Sequence, residues 1–420
     1  MKKNYNLSII IIGALFFVFG FITWLNATLI PYLKISCQLT TLESYFVTFA
    51  FYISYFVMAI PSSKILKLTG YKRGMSLGLA IMAIGALIFI PAAISRTYQL
   101  FLLGLFVQGT GLSLLQTASN PYVTILGPIE SAAKRISIMG LANKLAGIIS
   151  PIILGTIVLN GIDKIKEKIE TIDNTNKIIE LNKLSHKVIT PYIIIAISLI
   201  ILAIIIIYTN LPDIKNEDDT SNDKQTQKTN IFQFPYLILG VITLFLYVGV
   251  EVLAVDTLIN YGKYLGFKFA EAKFFSSYTL FAMIIGYLFG IITIPKYISQ
   301  ENVLKYFAIL GIIFSTVAIL SSNAFTSILM IASLGFANSL MWPAIWPLAI
   351  NNLGKFTKTG SALLIMAIAG GALLPLLYGY LSETTIFNNQ TAYFIFIPSY
   401  LFILFYATKG YKMGQKSKNI

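Results

Sequence analysis

Charge is the scarcest commodity in this chain. Only 11% of its 420 residues are Asp, Glu, Lys or Arg, against about 25% in soluble domains. With 56% hydrophobic residues and a mean hydropathy of +0.77, it carries more apolar surface than a water-facing core can hide. Its solvent must be lipid. There is one cysteine, Cys37, which excludes an intramolecular disulfide and a thiolate metal site. The one histidine, His186, lies in a polar stretch with no ligand cluster around it. No nucleotide-binding glycine loop, nucleophile elbow or zinc motif occurs, so an enzyme is not expected, nor a cofactor. A net charge of +14 would suggest nucleic acid in a soluble chain. Here the basic residues sit in short loops between apolar runs, the pattern of membrane orientation and not of a phosphate-tracking patch.

What is present is apolar length. Lys2 and Lys3 precede a run from Ser8 to Leu33, too long for the roughly 7–15-residue core of a signal peptide, and it reads as a retained first helix. Further runs of spanning length cover about 44–66, 75–94, 98–126, 136–160 and 189–209. After a polar break they resume at about 234–261, 273–295, 302–321, 325–350, 358–380 and 390–408. At about 20 residues per crossing, the expected fold is an all-α integral membrane protein of twelve transmembrane helices. The break NLPDIKNEDDTSNDKQTQKTN, Asn210 to Asn230, divides the chain into an N-terminal half (1–209), a linker (210–233) and a C-terminal half with a short tail (234–420).

Lysine and arginine set the orientation. If the N-terminus is cytoplasmic, inside segments hold Lys64, Lys67, Lys72, Arg73, Lys134, Arg135, Lys296, Lys305, Lys355, Lys358 and the tail lysines. The short outside loops hold Lys34, Arg96, Lys263, Lys268 and Lys273. This bias predicts both termini inside. The segment from Asp163 to Lys187 dissents, being outside yet lysine-rich; it is nearly charge-balanced and reads as an amphipathic surface helix.

The halves repeat. ATLIPYLK from Ala27 matches DTLINYGK from Asp256, and the G-x3-P-x3-G frame of Gly147, Pro151 and Gly155 recurs at Gly371, Pro375 and Gly379. The two matches keep chain order and nearly constant offset. Parallel six-helix repeats are the plan of the major facilitator fold.

Against this apolar background the intramembrane charges stand out: Glu251, Asp256 and Lys144. A charge at the bilayer centre costs at least about 2.5–3.5 kcal/mol, so such groups face a cavity or each other. A purely structural lysine–acid pair joining the halves would look the same in sequence. The polar neighbours keep helical spacing. Gln116 and Asn120 share a face of the fourth helix, Tyr247 and Glu251 of the seventh, and Asn338, Trp342 and Trp346 of the tenth. Asn26 with Trp24 and Thr28 marks the first helix, and Asn143 precedes Lys144 on the fifth. Amides, an acid and indole faces suit a sugar; interface anchoring by tryptophan and amide bridging between helices are the plainer alternative. The candidate substrate site is therefore Asn26, Gln116, Asn120, Asn143, Tyr247, Glu251, Asn338 and Trp342. Glu251 and Asp256 are five positions apart, about 140° around a helix, so both point into one cavity only if the helix breaks. Glu251 is assigned to the cavity and Asp256 to the outer gate or the coupling ion, both acids being candidates for cation coupling, with Lys144 as the charge-pairing candidate.

FFVFGFITWLNATLIPYLK, SLLQTASNPYVTILGP, KRISIMGLANKLAGIISPIILG, FLYVGVEVLAVDTLINYG and INNLGKFTKTGSALLIMAIAGGALLP carry a specific likeness. Over nearly its whole length the chain resembles the fucose:proton symporter family of the major facilitator superfamily, and within it the bacterial glucose/galactose transporter branch. The resemblance implies alternating access and cation-coupled hexose uptake across a bacterial inner membrane. It also implies departures. Where the fucose symporter has a protonatable aspartate in helix 1 and a glutamate in helix 4, this chain has Ala27 and Gln116; a helix 5 glutamine corresponds to Gly140, while an asparagine is kept as Asn143. By the internal repeat Ala27 is the counterpart of Asp256, so helix 7 is expected to supply the coupling group. Proton coupling is preferred, with sodium the rival. Uncoupled facilitation, another sugar such as fucose, drug export and a non-transporting sugar sensor are the further alternatives. The expected partners are the bilayer and a small sugar, with no nucleic acid. The fold commonly works as a monomer.

Overall fold

The computed structural model describes residues 2–125, 132–209, 230–294, 296–351, 353 and 356–414. Twelve of its helices are long and apolar enough to cross a membrane. The first half contributes α1 (Ile10–Ser36), α2 (Phe46–Leu66), α3 (Leu68–Ser95), α4 (Tyr98–Ser119), α5 (Ile138–Val158) and α6 (Ile189–Tyr208). The second contributes α7 (Pro235–Asp256), α8 (Phe269–Thr293), α9 (Gln300–Leu320), α10 (Ala324–Ile350), α11 (Thr359–Ser382) and α12 (Thr391–Thr408). Most of the linker, 210–229, lies outside the described residues.

Isoleucine-rich segments such as ITPYIIIAISLIILAIIIIY are modest helix formers in water. In lipid no water can satisfy an open backbone, so helix becomes the stable choice. The lipid then receives the apolar surface: Ile193, Ile194, Ile197, Ile200, Ile201 and Ile204 of α6 are all exposed. The chain kinks at Gly70, near the start of α3, where a φ of 73° suits a residue without a Cβ.

The repeat is visible in backbone packing. A side chain at Gly109 of α4 would run into the Phe51 carbonyl of α2, and one at Gly335 of α10 into the Thr279 carbonyl of α8. The two contacts are equivalent between halves and bring paired helices to backbone-to-backbone distance.

Several spans are interrupted. α1 breaks at Leu25, between helices Lys2–Trp24 and Asn26–Ser36. α7 stops at Asp256 and resumes as Leu258–Tyr264 beyond Thr257, within about one turn of the corresponding place in the second half. α10 breaks at Leu340, and α11 tightens to a 3₁₀ turn at Ala367–Ala369. Freed carbonyls at such breaks need new partners. At the α7 break Thr257 Oγ1 donates to the Leu253 carbonyl at 2.6 Å and also meets the Tyr393 hydroxyl at 2.6 Å.

The connection between α5 and α6 corrects the expectation of one surface helix. It forms two, Ile162–Thr171 and Asn174–His186. Asp173 divides them, because its carboxylate accepts from the Thr175 and Asn176 amides and starts a new helix. The second helix is docked: Leu181 and Leu184 are buried, and the Tyr32 hydroxyl of α1 contacts the Leu184 and Ser185 carbonyls at 3.0 and 2.8 Å.

Candidate functional site at the interface of the two halves

The intramembrane charges meet. Lys144 Nζ on α5 lies 2.7 Å from Glu251 Oε1 on α7, with side-chain exposures of 8% and 10%. The same ammonium sits 4.3 Å from the centre of the Trp24 ring, just before the α1 break, so a cation–π contact adds to the ion pair. One lysine thus ties α1 and α5 of the first half to α7 of the second. Glu251 lies within electrostatic reach of Tyr247, Tyr287 and Tyr400, on α7, α8 and α12.

On the second half, Trp342 follows the α10 break, with its ring centre 6.5 Å from that of Tyr247 and 5.4 Å from that of Trp346, onto which it stacks. Asn338 precedes the break, and its Oδ1 accepts from the Tyr400 hydroxyl at 2.8 Å. On the first half, Gln116 Nε2 donates to the Tyr55 hydroxyl at 3.1 Å. Asn143 Nδ2 donates to the Phe16 carbonyl at 3.4 Å, tying α5 to α1. Asn26, at the α1 break, is fully buried, and neither of its amide atoms has a partner among the described residues. The side chain of Asn120 lies outside the described residues.

Asp256 stands apart from this group. Both acids belong to one unbroken helix, since α7 interrupts only after Asp256, and the angle between them is kept. Glu251 faces α5, whereas Asp256 faces α2. There Thr48 Oγ1 donates to Asp256 Oδ2 at 3.2 Å, and Oδ1 has no partner among the described residues. The carboxyl is fully buried, beside Tyr45 and Tyr52.

An even number of crossings puts residues 2 and 414 on one face of the molecule, here the terminal face. Toward the opposite face the halves are joined by reciprocal carboxylates. Asp163, after α5, accepts from Lys263 Nζ at 2.8 Å and from the Phe269 amide at 2.9 Å. Glu383, after α11, accepts from the Leu42 amide at 2.9 Å. The two amides belong to equivalent four-residue helices, Phe269–Ala272 and Thr41–Ser44. Each half thus lends an acid to the other. Toward the terminal face Gln116, Asn143, Tyr287, Trp342 and Trp346 are only half-buried.

Sequence reasoning did not single out Thr48, Tyr55, Tyr287 and Tyr400. Their signal is weak, because a lone tyrosine or threonine in an apolar helix reads equally well as packing. Asp163, Lys263 and Glu383 look like ordinary loop charges.

Comparison with known proteins agrees with this architecture. The family model described as Major Facilitator Superfamily matches residues 12–376. A glucose/galactose transporter of Brucella abortus is 35% identical over 416 residues, 98% of this chain and 96% of that protein. The L-fucose-proton symporter of Escherichia coli is 28% identical, covering 91% of this chain and 88% of that protein. The crystal structure of a major facilitator transporter, FucP, in the outward conformation superposes with a TM-score of 0.74 at 26% identity, covering 96% of this chain and 98% of that one. By fold, by matched family model and by full-length likeness, this multi-pass membrane chain belongs to the major facilitator superfamily.

Proposed function

We propose that the protein carries a hexose of the glucose/galactose type into the cell across the bacterial inner membrane, by alternating access, in symport with protons. In this reading both termini are cytoplasmic and the working unit is a monomer. The observation that carries it is the Lys144–Glu251 pair, buried between the halves, with the Trp24 ring against the ammonium and Tyr247, Tyr287 and Tyr400 within electrostatic reach of the carboxylate. That arrangement offers hydroxyls acceptors at Glu251, donors at Lys144 and Gln116, and a flat apolar face at Trp342. The relatives matched over most of their length, a glucose/galactose transporter and an L-fucose-proton symporter, point the same way.

Coupling is assigned to Asp256. Its carboxyl is fully buried and has Thr48 as its polar partner, with no cationic side chain bound to it among the described residues. A lone ionised carboxylate there would be costly, and a proton removes the charge. Loading from the side away from the termini, followed by rocking of the halves and release toward the cytoplasm, would move one proton per cycle. A site joined on its far face and half-buried toward its terminal face fits the cytoplasm-facing stage of this cycle. Sodium is the second reading, favoured by the unpartnered Asp256 Oδ1 beside the Thr48 hydroxyl.

Uptake of labelled glucose and galactose into proteoliposomes, driven in turn by an imposed proton gradient and an imposed sodium gradient, tests this. Accumulation driven by protons alone is expected. Accumulation driven by sodium alone would replace the proton, and no uptake of either sugar would overturn the substrate.

A further inference from the structure

Tyr400 on α12 lies outside the helices that supply the candidate sugar contacts. Its hydroxyl donates to Asn338 Oδ1 at 2.8 Å, with both side chains buried. A buried phenol has one proton and needs an acceptor for it. The Tyr400 hydroxyl finds that acceptor in Asn338 Oδ1. This bond fixes which way round the amide sits. A flipped amide would turn its N–H toward the phenol and take the acceptor away from the phenolic proton.

The consequence falls on the other end of the amide. Asn338 Nδ2 has no partner among the described residues, although Asn338 is only 1% exposed. Buried donors in native proteins are normally paired, and leaving one unpaired is costly. The surroundings show what it awaits. Asn338 lies four residues before Trp342, on the other side of the α10 break, the Trp342 ring neighbours Tyr247, and the Tyr400 that holds Asn338 is within electrostatic reach of Glu251.

We infer that Tyr400 is a positioning residue that sets the polarity of Asn338, so that the amide meets the hexose only as a donor, to one hydroxyl oxygen. The inference rests on the sugar reading above. It gives the site two points of fixed and opposite sign, since an ionised Glu251 can only accept and the held Asn338 can only donate. At the hydroxyl facing Asn338 the sugar must offer a lone pair, and its proton is not read.

Deoxyfluoro sugars separate these properties. Fluorine keeps lone pairs without the proton, whereas a deoxy position keeps neither. The experiment is competition of labelled glucose uptake in proteoliposomes by each monodeoxy and monodeoxyfluoro glucose, with the galactose series where galactose is the better substrate. In the wild type, one ring position should show the deoxy analogue inhibiting about tenfold more weakly than its fluoro partner. In Tyr400→Phe the amide is free to turn, and that gap should shrink to about twofold or less. Asn338→Asp keeps an acceptor for Tyr400 but has no N–H, and should lose the gap as well. A merely structural Tyr400 would weaken all analogues together and leave the gap in place. Where a variant is too impaired to transport, tryptophan fluorescence of the purified protein reads binding of the same analogues. A wild type with no such position, or a Tyr400→Phe variant with the gap intact, overturns the inference while leaving the sugar reading standing. Failure of the wild type to transport or bind either sugar overturns both.

Discussion

Lys144 and Glu251 belong to opposite halves of the molecule, yet their charged atoms are 2.7 Å apart. Removing one member of a buried pair strands the other, at a cost of about 3–5 kcal/mol, whereas replacing both with neutral groups is often tolerated. Lys144→Met and Glu251→Gln should therefore each lower the melting temperature of the purified protein markedly, and the double variant should recover most of the loss. Sugar affinity should not recover with it, because the ammonium donor is gone and the carboxylate has become an amide that accepts through one oxygen only. If the double variant is no more stable than the singles, the ion pair does not account for the loss.

Asp256→Asn keeps the shape of the side chain and the bond from Thr48 but cannot carry a proton. The expected result is sugar exchange between loaded and external pools at near wild-type rate, with accumulation against a gradient lost. Full accumulation by this variant would remove Asp256 from the coupling role.

The reciprocal carboxylates at Asp163 and Glu383 should govern how long the far face stays shut. An exposed ion pair is worth about 0.2–1 kcal/mol and a charge-assisted bond to a backbone amide about 1.5–3 kcal/mol. Asp163→Ala combined with Glu383→Ala should shift the population toward the form open on that face by at least about tenfold. Spin labels at Ser95 and Ser322, in a Cys37→Ser background, measure the opening. An unchanged distance distribution would show that these bonds follow closure without holding it.

Outside the membrane, the Asp173 carboxyl is held below its ordinary value, chiefly by the hydrogen bond from the Asn176 side chain and then by the Asn176 amide. The folded group therefore releases its proton more readily than the unfolded one. Its contribution is complete above the unfolded value near 3.9 and is lost as pH falls through the lower folded value. Amide exchange over Asn174–His186, corrected for intrinsic rate, should lose protection between pH 5 and about pH 3. Asp173→Ala should show low protection at both, and equal protection in variant and wild type would refute the capping role.

The twelve spans were legible because lipid demands a length and a polarity that few other structures share. The breaks at Leu25 and Thr257 were not. Neither residue is glycine or proline, so no breaker residue marks either position in the sequence. The depth of Lys144 relative to Glu251 was not legible from the spans either. An uncertainty of three residues at a helix end is about 4.5 Å of depth, and a lysine chain spans several ångströms more. Asn338 was readable as polar and buried, whereas its orientation depends on Tyr400, which is distant in sequence. The two helices between α5 and α6 were signalled by DNTN, where an aspartate precedes a fresh helical start.

The contacts of Gly109 with the Phe51 carbonyl and of Gly335 with the Thr279 carbonyl bear on how this architecture stores information. Where main chain touches main chain, the surrounding side chains have little vocabulary with which to specify the fit. Two copies of a half can then diverge until few letters agree and still return the same shape. What must be spelled alike is the missing side chain.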